Sequence, residues 1–369
     1  MQRLLVCCLL IILSAGCRKD MPRPTIAYKD IPGFSRNTDG KTTVKGFYLL
    51  NEGNMNMNKS SLDYVDLING RYIRKMYEAK NTTIVKGLGD VGNDLRIYGS
   101  KLYAVINNSN KVEVMDAATT RVLKQIPIRQ SRYVVFYKDN AYVTSNEGYV
   151  AIIDTATLNE TGRIPTGRNP EQMAIIGNRL YVANSGGYSP PNYERTVSVI
   201  NLDTRQELKR IDVAINLHRL AVDEEGDLYV TSRGDYYTIP SRLYVVDTKT
   251  DKVKKEFPIG ASNLVIHNGL AYIYCVEWSH ITHKNTITYS LIDVKTEQLL
   301  DRKFITDGTD KEITIPYGIA VDPDTEDVFV TDALNYVTPG FLYCFDKNGK
   351  KKWRMGTGDI PAHFAFVKQ

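Results

Sequence analysis

The residues best suited to chemistry fall in a few small groups. Gly87-Leu88-Gly89-Asp90-Val91-Gly92 has the glycine spacing of a dinucleotide-binding turn, which needs a helix behind it to face a pyrophosphate. Strand-like Leu95–Tyr98 and Leu102–Ile106 follow instead, so these glycines read as a loop between strands. His280 and His283 lack a third metal ligand nearby and read as loop histidines. Asp322, Asp324 and Asp327 crowd one turn, where a calcium site competes with a solvated turn. A G-x-S-x-G nucleophile elbow is absent, as is a cysteine–histidine pairing signature. Asp94, Glu171 and Asn263 could serve a metal-dependent hydrolase, but Arg219 and His363 at matching positions would oppose a cation. The sequence therefore predicts no catalytic residue, no metal and no cofactor.

Binding chemistry is better represented, through 24 tyrosines in 369 residues. Hydrophobic content of 43% and charged content of 24% fit a folded globular chain. A net charge of +5, spread along the chain, is too mild for a nucleic-acid footprint. Tyr, Val, Ile and Thr in short runs broken by Gly, Asn and Asp predict β-structure.

The amino terminus reads as an export signal over residues 1–16, with Arg3 before an apolar run from Leu4 to Leu13. Leu13-Ser14-Ala15-Gly16-Cys17 resembles the bacterial lipobox, in which the cysteine is acylated and becomes the first mature residue. Acyl chains on Cys17 would anchor the protein, each buried CH₂ contributing about 0.8 kcal/mol. Residues 17–45 are polar, carry Pro22, Pro24 and Pro32, and read as the lipidated cysteine and a flexible tether. After cleavage only Cys275 and Cys344 remain as thiols, so no disulfide framework is expected.

Residues 46–369 repeat. An apolar strand ending in Asp, once Asn, recurs at Asp66, Asp116, Asp154, Asn201, Asp247, Asp293 and Asp346, with spacings of 50, 38, 47, 46, 46 and 53. Each is preceded by a strand carrying Tyr48, Tyr103, Tyr142, Tyr181, Tyr229, Tyr272 or Phe329. A short apolar strand opens each unit, and the last of these, at Phe364–Val367, has no unit after it. The carboxy-terminal strand is therefore expected to complete the amino-terminal sheet, giving an all-β, seven-bladed propeller without open edges.

If strands A to D run outward in each blade, B–C and D–A loops share one face. That face carries the long aromatic loops, with Tyr188 and Tyr193 in the fourth repeat, Tyr236 and Tyr237 in the fifth, Trp278 in the sixth and Tyr336 in the last. Where the A strands enter the pore, Asp94, Tyr133, Gln172, Arg219, Asn263, Gly318 and His363 form a mixed, mostly hydrogen-bonding ring, with Arg132, Glu171, His218 and Tyr317 beside them. An aromatic funnel over such a ring suits a bulky, neutral ligand rich in amides or hydroxyls.

The repeats from Phe47 onward resemble the YncE-like, surface-layer type of seven-bladed propeller, through stretches such as Gly318-Ile319-Ala320-Val321-Asp322-Pro323. Leu50-Asn51-Glu52-Gly53-Asn54, Lys86-Gly87-Leu88-Gly89-Asp90-Val91 and Val330-Thr331-Asp332-Ala333-Leu334-Asn335-Tyr336 are similar to lipoprotein propellers of Bacteroides-type bacteria. The BtuG-like branch of that group captures cobalamin and hands it to a TonB-dependent outer-membrane transporter. The resemblance implies a non-catalytic, lipid-anchored outer-membrane protein, displayed at the cell surface, that captures a small-molecule nutrient such as cobalamin. No D-x-H-x-x-G motif is present, so a corrinoid here would be cargo. A glycan- or protein-binding accessory role in nutrient uptake is the alternative, and a metal-dependent hydrolase a more distant one.

Overall fold

The computed structural model describes residues 27–36, 43–279 and 281–368. Seven antiparallel sheets form a seven-bladed β-propeller. Blade 2 shows the order from the axis outward, with strands Gly92–Tyr98, Lys101–Ile106, Lys111–Asp116 and Val122–Pro127. Every innermost strand contacts the innermost strands of both neighbouring blades, and the ring is complete.

Blade 1 joins the two ends of the chain, as the unmatched last repeat predicts. Its innermost strand is Pro361–Lys368, paired antiparallel with Val44–Asn51, and Ser61–Asp66 and Arg71–Ile73 lie outside it. Closure completes blade 1 and leaves no blade with an uncovered face at an open end of the ring.

Sheets covered on both faces need strands that are apolar throughout. Lys101–Ile106 and Leu228–Ser232 are buried along almost their whole lengths. Each blade-to-blade interface has its own apolar cluster, and between blades 7 and 1 Phe47 and Phe329 sit with ring centroids 4.7 Å apart. A fully buried Phe stabilises by roughly 1.5–3 kcal/mol. The recurring aspartates do another job: Asp66, Asp116, Asp154, Asp247, Asp293 and Asp346, with Asn201, accept N–H groups two to four residues ahead and so set the C–D turns.

Part of the stretch assigned to the tether is built into the fold. Tyr28–Asp30 adds a fifth strand on the outer edge of blade 1, beside Arg71–Ile73. Ile31 is buried behind it, and its N–H reaches the Gly70 carbonyl at 2.8 Å. Arg36, its side chain 6% exposed, then bonds Asp322 at 2.8 Å, and Asp324 accepts the Thr43 and Val44 N–H groups. Three strand residues are too few to show a period, which is why composition alone suggests a tether. The acidic turn is held by Arg36 and by Lys352 on Asp327, so its carboxylates serve as a clasp for the amino-terminal segment. Residues 1–26, including Cys17, lie outside the described residues, as do residues 37–42.

Candidate functional site

The innermost strands of blades 2, 3, 4, 5 and 7 break register where they enter the pore. Such bulges re-aim consecutive side chains and free ladder N–H groups. The pairs Arg132-Tyr133, Glu171-Gln172 and His218-Arg219 all fall in these breaks. Threonines of the second strands take up freed donors: Thr144 accepts Tyr133 N–H at 3.0 Å, Thr231 accepts Arg219 N–H at 2.9 Å, and Thr331 accepts Gly318 N–H at 2.7 Å. Gly318 permits close approach, since a Cβ there would stand 2.3 Å from the Ala362 carbonyl.

Blades 2, 4 and 6 use the pore side chain itself to reach the next blade. Asp94 accepts Val134 N–H at 3.0 Å, Gln172 accepts Leu220 N–H at 3.0 Å, and the Asn263 amide lies 3.5 Å from the Tyr317 carbonyl. Gln172 and Asn263, expected to meet a ligand, thus also tie neighbouring blades together.

The polar floor is charge-rich. Arg132 donates to Glu171 Oε2 from Nε at 2.9 Å and Nη2 at 2.8 Å, and Arg233 reaches Glu171 Oε1 at 3.2 Å. Burial pushes the Glu171 carboxyl up, but the two guanidiniums outweigh it and hold it below its usual range. Burial likewise opposes the charge on Arg132, and Glu171 restores it. Tyr133, 2% exposed, lies under the Arg219 guanidinium, 5.2 Å from its ring centroid. Its hydroxyl is 3.0 Å from His218 Nε2. Burial, then Arg233, Arg219 and Arg132, hold His218 well below the ordinary histidine range, so it is neutral at pH 7. Across the pore, Glu52 accepts the Tyr317 hydroxyl at 2.8 Å and lies 2.9 Å from His363 Nε2. Burial, followed by Glu52, raises the Tyr317 phenol well above its usual range.

Above this floor a cavity of about 870 Å³ opens over blades 5 to 7. Tyr236, Tyr237, Trp278, Tyr317 and Tyr336 line it, with Arg219, His218 and Arg233 at its base. The size suits a ligand at the upper end of the small-molecule range. Two of its loops share one construction. In Asp235-Tyr236-Tyr237-Thr238 the carboxylate accepts the N–H groups of Tyr237, Thr238 and Ile239 at 2.9, 2.8 and 2.7 Å. In Asn335-Tyr336-Val337-Thr338 the amide oxygen accepts those of Val337 and Thr338 at 3.0 and 2.9 Å. Both turns drive a tyrosine into the left-handed region, with φ of 66° at Tyr236 and 61° at Tyr336. Bulky residues adopt that conformation only when their surroundings over-determine it. Gly234 is required beside the first turn, because a Cβ would sit 1.9 Å from the Ile239 carbonyl.

The structure thus gathers Arg219, Tyr236, Tyr237, Trp278, Tyr317 and Tyr336 around one cavity. Tyr193, from the blade 4 loop, is near Tyr236, and burial and that neighbour raise its phenol. Tyr188 is exposed, and its hydroxyl accepts the Asn146 amide at 3.3 Å, away from the cavity lining. Arg132 is paired with Glu171, and His363 Nε2 lies 2.9 Å from Glu52 Oε1. Arg233, Glu52, Glu277 and Ile239 are the residues missed; the long loop after Ser232 was the one signal for Arg233 and Ile239. His283 packs edge-on against Trp278, ring centroids 6.3 Å apart, and its partner His280 lies outside the described residues. Gly87–Gly92 is a loop leading into a strand, as its sequence context predicts.

Solved structures with a similar fold come from unrelated sources. A hydrazine synthase from Kuenenia stuttgartiensis has a TM-score of 0.57 and 17% identity, covering 70% of this chain and 77% of that one. The computationally designed Ika8 protein has a TM-score of 0.56 and 14% identity, covering 87% and 92%. A quinoprotein alcohol dehydrogenase-like protein from Bacteroides thetaiotaomicron has a TM-score of 0.60 and 13% identity, covering 89% and 79%. At these identities the likeness is one of fold alone. No curated protein matches the chain. A family model does match, over residues 45–366, which is the propeller itself: the chain belongs to the DUF5074 family, a domain of unknown function.

Proposed function

We propose that the protein is a non-catalytic capture protein, lipid-anchored through Cys17 at the outer membrane. Its funnel holds a bulky soluble nutrient, cobalamin or another corrinoid, and presents it to a TonB-dependent transporter. The single observation carrying this reading is the aromatic-walled cavity of about 870 Å³ on the loop-rich face. Its tyrosines are preset by backbone turns, so little ordering is needed when a flat, amide-fringed disc arrives. Tyr237 and Trp278 in its lining are exposed and open to an arriving ligand.

Calorimetry of the purified protein with cyanocobalamin tests the reading and should give saturable binding. An absence of heat and of any spectral change at high concentration would end it. Binding to a glycan array instead would move the assignment to a carbohydrate-capture propeller, since sugar faces also stack on aromatic walls.

A further inference from the structure

The three arginines on the floor of the funnel outnumber its two carboxylates, Glu171 and Glu52. Arg132 and Arg233 share Glu171, one on each carboxylate oxygen side. Arg219 forms no ion pair among the described residues, and its buried Nε has no hydrogen-bond partner. Among its contacts are its own N–H to Thr231 and the Tyr133 ring beneath it. Glu52, whose charge reaches Arg219, is already bonded by Tyr317 and His363. Glu277 lines the same cavity but stands exposed at its blade 6 rim. The surplus is felt nearby, because the same guanidiniums help keep His218 unprotonated. A guanidinium that lines an aromatic-walled recess with no carboxylate bonded to it is poised for an anion, and charge-assisted bonds there are the stronger kind.

We infer that the ligand of this funnel carries an anionic oxygen group, a carboxylate or a phosphate ester, and that Arg219 receives it at the floor while Tyr236, Trp278 and Tyr336 hold the body above. This deepens the capture reading and rests on its cavity, and it corrects the expectation of a purely neutral ligand.

Three probes of one shape test it on the full chain: 2-naphthoate, 2-naphthyl phosphate and neutral 2-naphthamide, titrated by calorimetry. At least one anion should bind about tenfold tighter than the amide, and the tighter of the two anions identifies the group. Arg219→Gln should erase the preference and Arg219→Lys keep part of it. On the unaltered protein, added salt should weaken the anion and spare the amide, which needs no variant to fold. Equal affinities, a preference that survives Arg219→Gln, or no anion binding at millimolar concentration would overturn the inference. Cyanocobalamin binding unchanged in Arg219→Gln would sink it while sparing the capture reading. Anion preference without any cobalamin binding would do the reverse.

Discussion

Tyr236 and Tyr336 occupy equivalent left-handed positions in the loops of blades 5 and 7, each directly after the Asp or Asn side chain that ties its turn. Between them lies blade 6, whose strand Leu270–Ser279 brings up Trp278. The aromatic wall is therefore fixed by backbone, not by side-chain packing alone.

Removing the tie should loosen the wall without unfolding the blade. Asp235→Ala and Asn335→Ala are expected to weaken ligand binding several-fold, with thermal unfolding shifted little, because both loops are at the surface. Calorimetry and a melting curve on the same samples check this; an unchanged affinity in both variants would show the turns to be irrelevant to binding.

Shortening the anchors should cost more. Tyr236→Ala and Trp278→Ala are each expected to weaken binding by about 1–3 kcal/mol, as buried aromatic anchors do. Asp324→Ala, in the clasp on the opposite face, should lower the melting temperature and leave affinity alone.

Among the described residues, Glu171 is the sole carboxylate bonded to Arg132 and Arg233. Glu171→Gln leaves both cations without an ion-pair partner and should destabilise the fold by about 3–5 kcal/mol, read as a shift in denaturant midpoint. A loss under about 1 kcal/mol would mean that the pair is well hydrated.

The sign of the acid response follows from His218. Its folded-state pKa lies well below the unfolded value, so the unfolded chain takes up a proton first as pH falls through about 6.5. Stability should fall as pH drops below about 6.5 and go on falling until His218 is protonated in the folded protein, and His218→Gln should flatten that part of the curve. An identical slope in the variant would assign the acid response elsewhere.

Much of the architecture was legible in the chain. Seven Asp-tipped strands and one surplus carboxy-terminal strand suffice to specify the blade number and its closure, because each repeat needs the same C–D turn. The loops bearing Tyr236, Trp278 and Tyr336 stood out through length and composition. Glu52 did not, because its partners Tyr317 and His363 lie 265 and 311 residues away and only ring closure brings them together. The inter-blade contacts of Gln172 and Asn263 were hidden for a related reason: from one strand, a side chain reaching a ligand and one reaching the next blade look alike. Register breaks at the pore mouth leave no mark in an apolar pattern, so the pairing of Arg132 with Glu171 was equally hidden.

The joining of Val44–Asn51 to Pro361–Lys368 also governs when the molecule can exist at all. Six blades are contiguous in sequence and can assemble as they leave the ribosome, but the first must wait for the last eight strand residues to be synthesised. A nascent or prematurely terminated chain is an open arc with a bare apolar flank, at risk of joining another arc instead of itself. The final strand therefore acts as a completeness check, and a premature stop codon anywhere upstream of it forfeits the whole ring rather than one blade.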